Sequence, residues 1–333
     1  MKAFSIKKYD KKGALELTDF STPTIKDNEV LVEIHAAGIN LLDAKIKSGE
    51  FKLILPYRLP IILGHDVAGV VTQVGAKVTR FKLGDEIYAR VSDFHIGTFA
   101  EYIAIGEDDL ALKPKNLSME EAASIPLVAL TAWQALVENA KLKKGQKVFI
   151  QAGSGGVGTI AIQLAKHLGA MVATTASEKS FEMLKKLGAD VLIDYKKEDF
   201  ETILKDYDVV LNSQDSKTLE KSLQVIKQGG KAISISGPPT KEFAKAIGAN
   251  WLIKTILSLV SFGIVKKARK LNVGYSFLFM RADGAQLKEI TSLIEAGTII
   301  PVVDKVFPFN QTNQALEYVE SGHAKGKVVV KIK

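Results

Sequence analysis

Short apolar runs near glycines dominate the first third of the chain, and their β-branched character predicts strands there. Residues 30–35 (Val-Leu-Val-Glu-Ile-His) and 68–74 (Ala-Gly-Val-Val-Thr-Gln-Val) are the clearest, and Gly64, Gly69, Gly75 and Gly84 punctuate an irregular β-rich region. The rhythm then changes. Residues 147–151 (Lys-Val-Phe-Ile-Gln) form a short apolar strand, a glycine cluster follows, and 159–168 has helical spacing that ends at Gly169. The alternation repeats with a strand at 171–175, a helix at 179–187 stopped by Gly188, and strands at 191–193, 207–211 and 231–236. Such alternation predicts an α/β fold whose middle is a doubly wound parallel sheet covered by helices on both faces. The last fifty or so residues return to the character of the first third, with a helix at 284–296 and strands at 302–307 and 327–332.

At 333 residues the chain exceeds a usual single core, so two domains are expected. The composition, 47% hydrophobic and 25% charged, is that of an ordinary globular protein. Residues 1–9 read as alternating strand rather than as a secretory leader, and with no cysteine the chain suits a cytoplasmic address. The absence of cysteine also excludes disulfides, a thiol nucleophile and thiolate-held metal. A net charge of +8 is unusual, yet the lysines are dispersed among acids, so a solvated basic surface is favoured over nucleic-acid binding. The most apolar stretch, 251–265, is too short for a membrane span. Three readings of it stay open: a buried helix, a lid or wall of a substrate cleft, and a membrane-surface helix helped by the cations of 266–270.

The strongest motif is Gly153-Ser154-Gly155-Gly156-Val157-Gly158, a G-x-G-x-x-G run between a predicted strand and a predicted helix. Glycines there permit the tight turn, the approach of backbone to a pyrophosphate, and close helix–strand packing, while the helix N-terminus offers N–H groups to phosphate. An NAD site would end the second strand on an acid. This chain instead runs Thr174-Thr175-Ala176-Ser177-Glu178-Lys179, where Ser177 can donate to a 2′-phosphate and Lys179 can neutralise it. Glu178 dissents, but NADPH is favoured.

With these residues in view, the chain resembles the zinc-free medium-chain dehydrogenase/reductase superfamily, and within it the NADPH-dependent quinone oxidoreductases and enone (alkenal) reductases. The resemblance rests on Ala37-Gly38-Ile39-Asn40-Leu41-Leu42-Asp43-Ala44-Lys45, Gly64-His65-Asp66-Val67-Ala68-Gly69, Gly84-Asp85-Glu86-Ile87-Tyr88 and Pro114-Lys115-Asn116-Leu117-Ser118. Leu130-Thr131-Ala132-Trp133, the glycine run, Leu187-Gly188-Ala189-Asp190 and Gly326-Lys327-Val328-Val329 complete it. It implies a Rossmann cofactor domain over 124–282 and a β-rich, GroES-like catalytic domain formed by 1–123 with 283–333, the active site lying in a cleft between them. It implies further that Lys179 and Tyr195 flank the 2′-phosphate and that Thr131 lies near the nicotinamide. Ser236, Gly237 and a strand over 275–279, with Leu278 and Phe279, would border the cofactor, and Lys327 would return to the cleft. A homodimer is expected from the resemblance alone.

The catalytic zinc of the alcohol dehydrogenases needs two cysteines and a histidine. Here Asn40 replaces the first cysteine and His65 alone keeps a ligand-like position, so no metal is expected. Without a Lewis acid, alcohol oxidation is disfavoured, whereas hydride addition to a quinone or an α,β-unsaturated carbonyl requires only a donor for the developing oxyanion. Lys45 is the first candidate, because the resembling enone reductases use a lysine there for cofactor and substrate. Asn40 is expected at the nicotinamide ribose or the substrate oxygen, with Tyr57 a further candidate. A short-chain reductase is excluded, since none of the eight tyrosines has lysine four residues later. The remaining alternative is a non-enzymatic NADPH-binding or RNA-binding crystallin-like protein.

Overall fold

The computed structural model describes residues 1–333, which form two compact units: Met1–Leu130 with Arg281–Lys333, and Thr131–Met280. The first division falls inside the helix Pro126–Trp133 rather than before it, because the preceding helix Met119–Ala123 packs on strands of the first unit.

The second unit is a six-stranded parallel sheet. Its spatial order is Val191–Asp194, Met171–Ala176, Lys147–Ile150, Tyr207–Asn212, Ile226–Ser234, Gly274–Phe277, so the first strand in sequence lies inside the sheet. That order is doubly wound, with the chain reversing direction across the sheet beside Lys147–Ile150. Val148, Phe149 and Ile150 are consecutive and all fully buried, as expected for a strand covered on both faces. Phe149 packs on Phe200 at 4.9 Å within a core that includes Val210, Leu219, Ile264 and Ala268. The helix Gly156–His167 buries Ile160, Ala161, Leu164 and Ala165 and stops at Gly169, whose φ of +78° suits glycine.

The first unit holds a seven-stranded sheet ordered Val303–Pro308, Lys327–Lys331, Glu29–Ile39, Asp66–Val74, Glu86–Arg90, Leu110–Leu112, with Tyr102–Gly106 also paired to Glu29–Ile39. A smaller sheet joins Glu16–Asp19, Lys2–Ile6 and Ile61–Ile62. The C-terminal tail is stitched in antiparallel, Val328 opposite Ile39 and Val330 opposite Ala37. The strand expected at 30–35 extends through Ala36, Ala37 and Gly38, residues of weak strand propensity. Gly38 is needed there for contact: a Cβ would come within 2.4 Å of the Ala123 carbonyl oxygen.

Three expectations change. The helix expected at 179–187 is a 3-10 turn over Glu178–Ser180 followed by a helix over Phe181–Lys186. The strand expected at 275–279 ends at Phe277. The apolar stretch at 251–265 belongs to a 20-residue helix, Trp251–Lys270, that is not a buried helix: only Ser261, Ile264 and Ala268 are buried, because a narrow side alone faces its neighbours, the helix Lys241–Ala246 and the strand Gly274–Phe277. No helix is long and apolar enough to cross a membrane.

Candidate active site

In the second unit, the strand Lys147–Ile150 ends in a turn whose Ala152 has a φ of +51°. A Cβ on Gly153 would come within 2.2 Å of the Thr174 Oγ1, and that hydroxyl is pinned by donating to the Ile150 carbonyl at 2.6 Å. A Cβ on Gly158 would come within 2.5 Å of the Ala152 carbonyl oxygen. Both glycines therefore serve packing. Gly155 differs, since a Cβ there meets nothing closer than the Ala152 oxygen at 3.4 Å. It is the N-cap of the helix Gly156–His167 and no side chain caps that end, so the first-turn N–H groups beside Ser154, Gly156 and Val157 have no side-chain acceptor and suit an anionic pyrophosphate.

The neighbouring strand Met171–Ala176 runs into half-buried Ser177 and exposed Lys179, whose ammonium makes no hydrogen bond or ion pair. Glu178, the dissenting acid, is held by Lys197 at 2.6 Å. Tyr195 follows the adjacent strand, which pairs Ala176 with Asp194; the residue is 61% exposed, with the Lys196 ammonium over its ring at 6.0 Å. The fold thus brings Ser177, Lys179 and Tyr195 to the ends of two adjacent strands. The cations Lys196 and Lys197, visible as a pair in the sequence, were missed there.

Across the same ends runs a buried polar chain that sequence reasoning also missed. Gln151 donates to Ser222 and accepts from Asn212 Nδ2 at 2.6 Å, Ser234 Oγ donates to Asn212 Oδ1 at 2.5 Å, and Gly237 N–H donates to Ser234 Oγ at 2.8 Å. It fixes the loop bearing Ser236, whose hydroxyl donates to the Gln214 carbonyl at 2.6 Å, and Leu278 N–H donates to the Ser234 carbonyl at 2.8 Å. Phe279 packs on Phe243 at 5.6 Å, and Thr131 is buried.

In the first unit, the strand Glu29–Ile39 delivers Asn40 as the N-cap of the helix Leu41–Ser48. Asn40 Nδ2 donates to Asp66 Oδ2 at 2.9 Å, and Asn40 Oδ1 accepts from Lys327 Nζ at 2.6 Å. Lys327 also donates to the Ile39 carbonyl at 2.9 Å and reaches Asp66 Oδ2 at 3.2 Å, while Asp66 Oδ1 accepts from Leu127 N–H at 2.7 Å. Beside this network His65 Nδ1 bonds Asp43 Oδ1 at 2.6 Å with both side chains fully buried, and Asp43 Oδ2 accepts from Asn40 N–H at 2.8 Å. His65 Nε2 has no partner.

These donors do not fit a zinc ion. The chain has no thiolate, and the Asn40 oxygen is engaged by an ammonium whose charge would repel a cation. Lys45, on the same helix, is half-buried and its ammonium has no partner. Tyr57 donates its hydroxyl to the Asp93 carbonyl at 2.6 Å, and burial, with the Asp93 carboxylate nearby, pushes its phenol above the ordinary value. The structure therefore joins Asn40 to Lys327 directly and does not tie Lys45 or Tyr57 to either.

Residues 26–115 match the family described as alcohol dehydrogenase GroES-like domain, and 187–330 match the family described as zinc-binding dehydrogenase. The chain is 37% identical to the NADPH-dependent alkenal/one oxidoreductase, chloroplastic, of Arabidopsis thaliana over 99% of this chain and 79% of that protein. It is 35% identical to the NAD(P)H oxidoreductase RTN4IP1, mitochondrial, of Danio rerio over 100% of this chain and 91% of that protein. The Escherichia coli quinone oxidoreductase complexed with NADPH superposes with a TM-score of 0.84 at 27% identity, covering 100% of both chains.

Proposed function

The chain belongs to the zinc-free medium-chain dehydrogenase/reductase superfamily, and we propose that this member uses NADPH to reduce quinones or the conjugated double bond of enones. The observation that carries this reading is the uncapped glycine turn at Gly155, followed one strand away by Lys179 with no partner and no free acid. Backbone N–H groups at 154–158 would hold the pyrophosphate, and Ser177, Lys179 and Tyr195 the 2′-phosphate. When bound, NADPH supplies a hydride equivalent. The protein's task is then to hold the acceptor and to steady negative charge on its carbonyl or quinone oxygen. Lys45 is suited to that task, since its ammonium is uncommitted and half-buried, and solvent can supply the closing proton.

Asn40 and Lys327 act differently. Their contacts with Asp66 leave Lys327 a buried, neutralised charge that fixes the Asn40 amide, so Asn40 meets the ligand as a rigid group. A homodimer belongs to the same proposal: Gly274–Phe277 is an edge strand paired on one side only, and such an edge accepts a second copy. So does a cytoplasmic address, supported by the lack of cysteine, although the similar plant and fish proteins are named chloroplastic and mitochondrial.

The test is NADPH oxidation by the pure protein against quinones, enones and aldehydes, with product identification. Turnover of quinones or enones, with the saturated carbonyl or hydroquinone as product, supports the reading. Tight NADPH binding with no turnover of either class would overturn it in favour of a non-enzymatic role.

A further inference from the structure

The helix Trp251–Lys270 exposes six large apolar side chains: Trp251 (76%), Leu252, Ile256, Leu259 (72%), Val260 and Phe262 (61%). An α-helix turns about 100° per residue, so these six fall within one half of its circumference, opposite buried Ser261, Ile264 and Ala268. Lys266, Lys267, Arg269 and Lys270 fall within the same outward half, one to two turns further along. No acid occurs on the helix, and residues 241–270 carry seven Lys or Arg against one acid, Glu242. Of the four terminal cations only Lys267 has a carboxylate partner, Glu220, while Lys266 lies over the Phe262 ring at 5.8 Å. Isolated exposed apolar residues are unremarkable, but a contiguous apolar face of this size marks a contact surface.

We propose that this face docks on an anionic lipid surface, the helix lying in the plane of the headgroups. Charge decides the occupant. A bilayer rich in anionic headgroups matches both halves of the face at once, taking the apolar half about 5–10 Å into the headgroup–acyl boundary and the cations at the phosphates. A second copy of the chain would present the same apolar half and the same four cations, with no acid on its helix to meet them. The inward side is anchored to the sheet through Ile264 and Ala268, so the helix docks without detaching from its own core.

The experiment is flotation of the full chain with vesicles of phosphatidylglycerol and phosphatidylcholine, or of phosphatidylcholine alone, at low and high salt. Binding is expected only with phosphatidylglycerol, weakening with salt, and with a blue shift of emission that disappears in Trp251→Phe. The pair Lys266→Gln and Lys270→Gln should weaken partitioning about thirtyfold, since each surface cation contributes about 1 kcal/mol. The pair Leu259→Asp and Phe262→Asp should abolish it without changing NADPH oxidation in solution. Absence of vesicle binding, or binding that both pairs leave intact, would overturn the proposal. So would an oligomer that the Asp pair converts to monomers while vesicles stay unbound, because a second copy would then own the face.

Discussion

Lys327 and Asp66 meet at 3.2 Å in the interior of the first unit, with side-chain exposures of 7% and 0%. Their meeting depends on sheet register. Asp66 lies opposite Gly38, Val328 lies opposite Ile39, and Asn40 follows directly, so three distant segments converge on one amide.

A buried charge left alone costs more than a buried pair removed. Asp66→Asn should therefore destabilise the protein by about 3–5 kcal/mol, and the double variant Asp66→Asn with Lys327→Met by clearly less. Urea unfolding of the native chain, both single variants and the double variant checks this, and a loss in the double variant equal to the sum of the two single losses would show that the two charges are independent.

Gly153 and Gly155 should respond oppositely to alanine. Gly153→Ala forces a Cβ against the pinned Thr174 hydroxyl, so stability and NADPH binding should fall together. Gly155→Ala makes only an ordinary van der Waals contact with the Ala152 carbonyl oxygen, so the thermal midpoint should hold while the added methyl obstructs the phosphate and raises the KM for NADPH. A matching stability loss in both variants would mean that Gly155 also serves packing.

Much of this architecture was legible from residue order. The apolar run ending in Gly153-Ser154-Gly155-Gly156-Val157-Gly158 announces strand, turn and helix because each residue's role there is local. The Asp66–Asn40–Lys327 network was not legible as a network, although Asn40 and Lys327 were singled out, since the register that joins them spans nearly the whole chain. The Gln151–Asn212–Ser234 chain was missed for the same reason. The helix Trp251–Lys270 was ambiguous because apolar character alone does not say which side its neighbours cover.

Lys179 is exposed and unpartnered, so its removal should alter cofactor choice rather than stability. Lys179→Ala should raise the KM for NADPH by about ten- to a hundredfold, the loss of one charge-assisted phosphate contact, and leave that for NADH nearly unchanged. Steady-state kinetics with both cofactors decide it; parallel rises would place Lys179 away from the 2′-phosphate.

Acid stability should depend on Asp208. Burial opposes its ionisation, but the Lys227 ammonium, the Lys147 N–H and the Gln146 amide outweigh it and hold its carboxyl below the ordinary value. A depressed folded value means that the stabilisation is complete above the unfolded value of about 3.9 and is lost as pH falls through the folded one. Thermal midpoints measured down to about pH 2 should therefore fall less steeply in Asp208→Asn than in the native chain. Superimposable slopes would assign the acid loss to other carboxylates.

The last expectation concerns Lys45 and hydride transfer. Its ammonium has no partner within the protein, so Lys45→Met, which keeps much of the stem's bulk, should leave the unfolding transition in place. If the ammonium steadies the oxyanion, its contribution grows as charge moves onto the acceptor, and the turnover number should fall by about 10²–10³. Affinity for NADPH can change in the same variant, because the side chain also suits cofactor contact. Single-turnover measurements at saturating NADPH separate the two effects, reporting transfer after the cofactor is bound. A transfer rate within about threefold of native corresponds to less than about 1 kcal/mol of barrier. Lys45 would then be a binding residue, and the oxyanion would have to be met by other donors, with the Tyr57 hydroxyl already given to the Asp93 carbonyl.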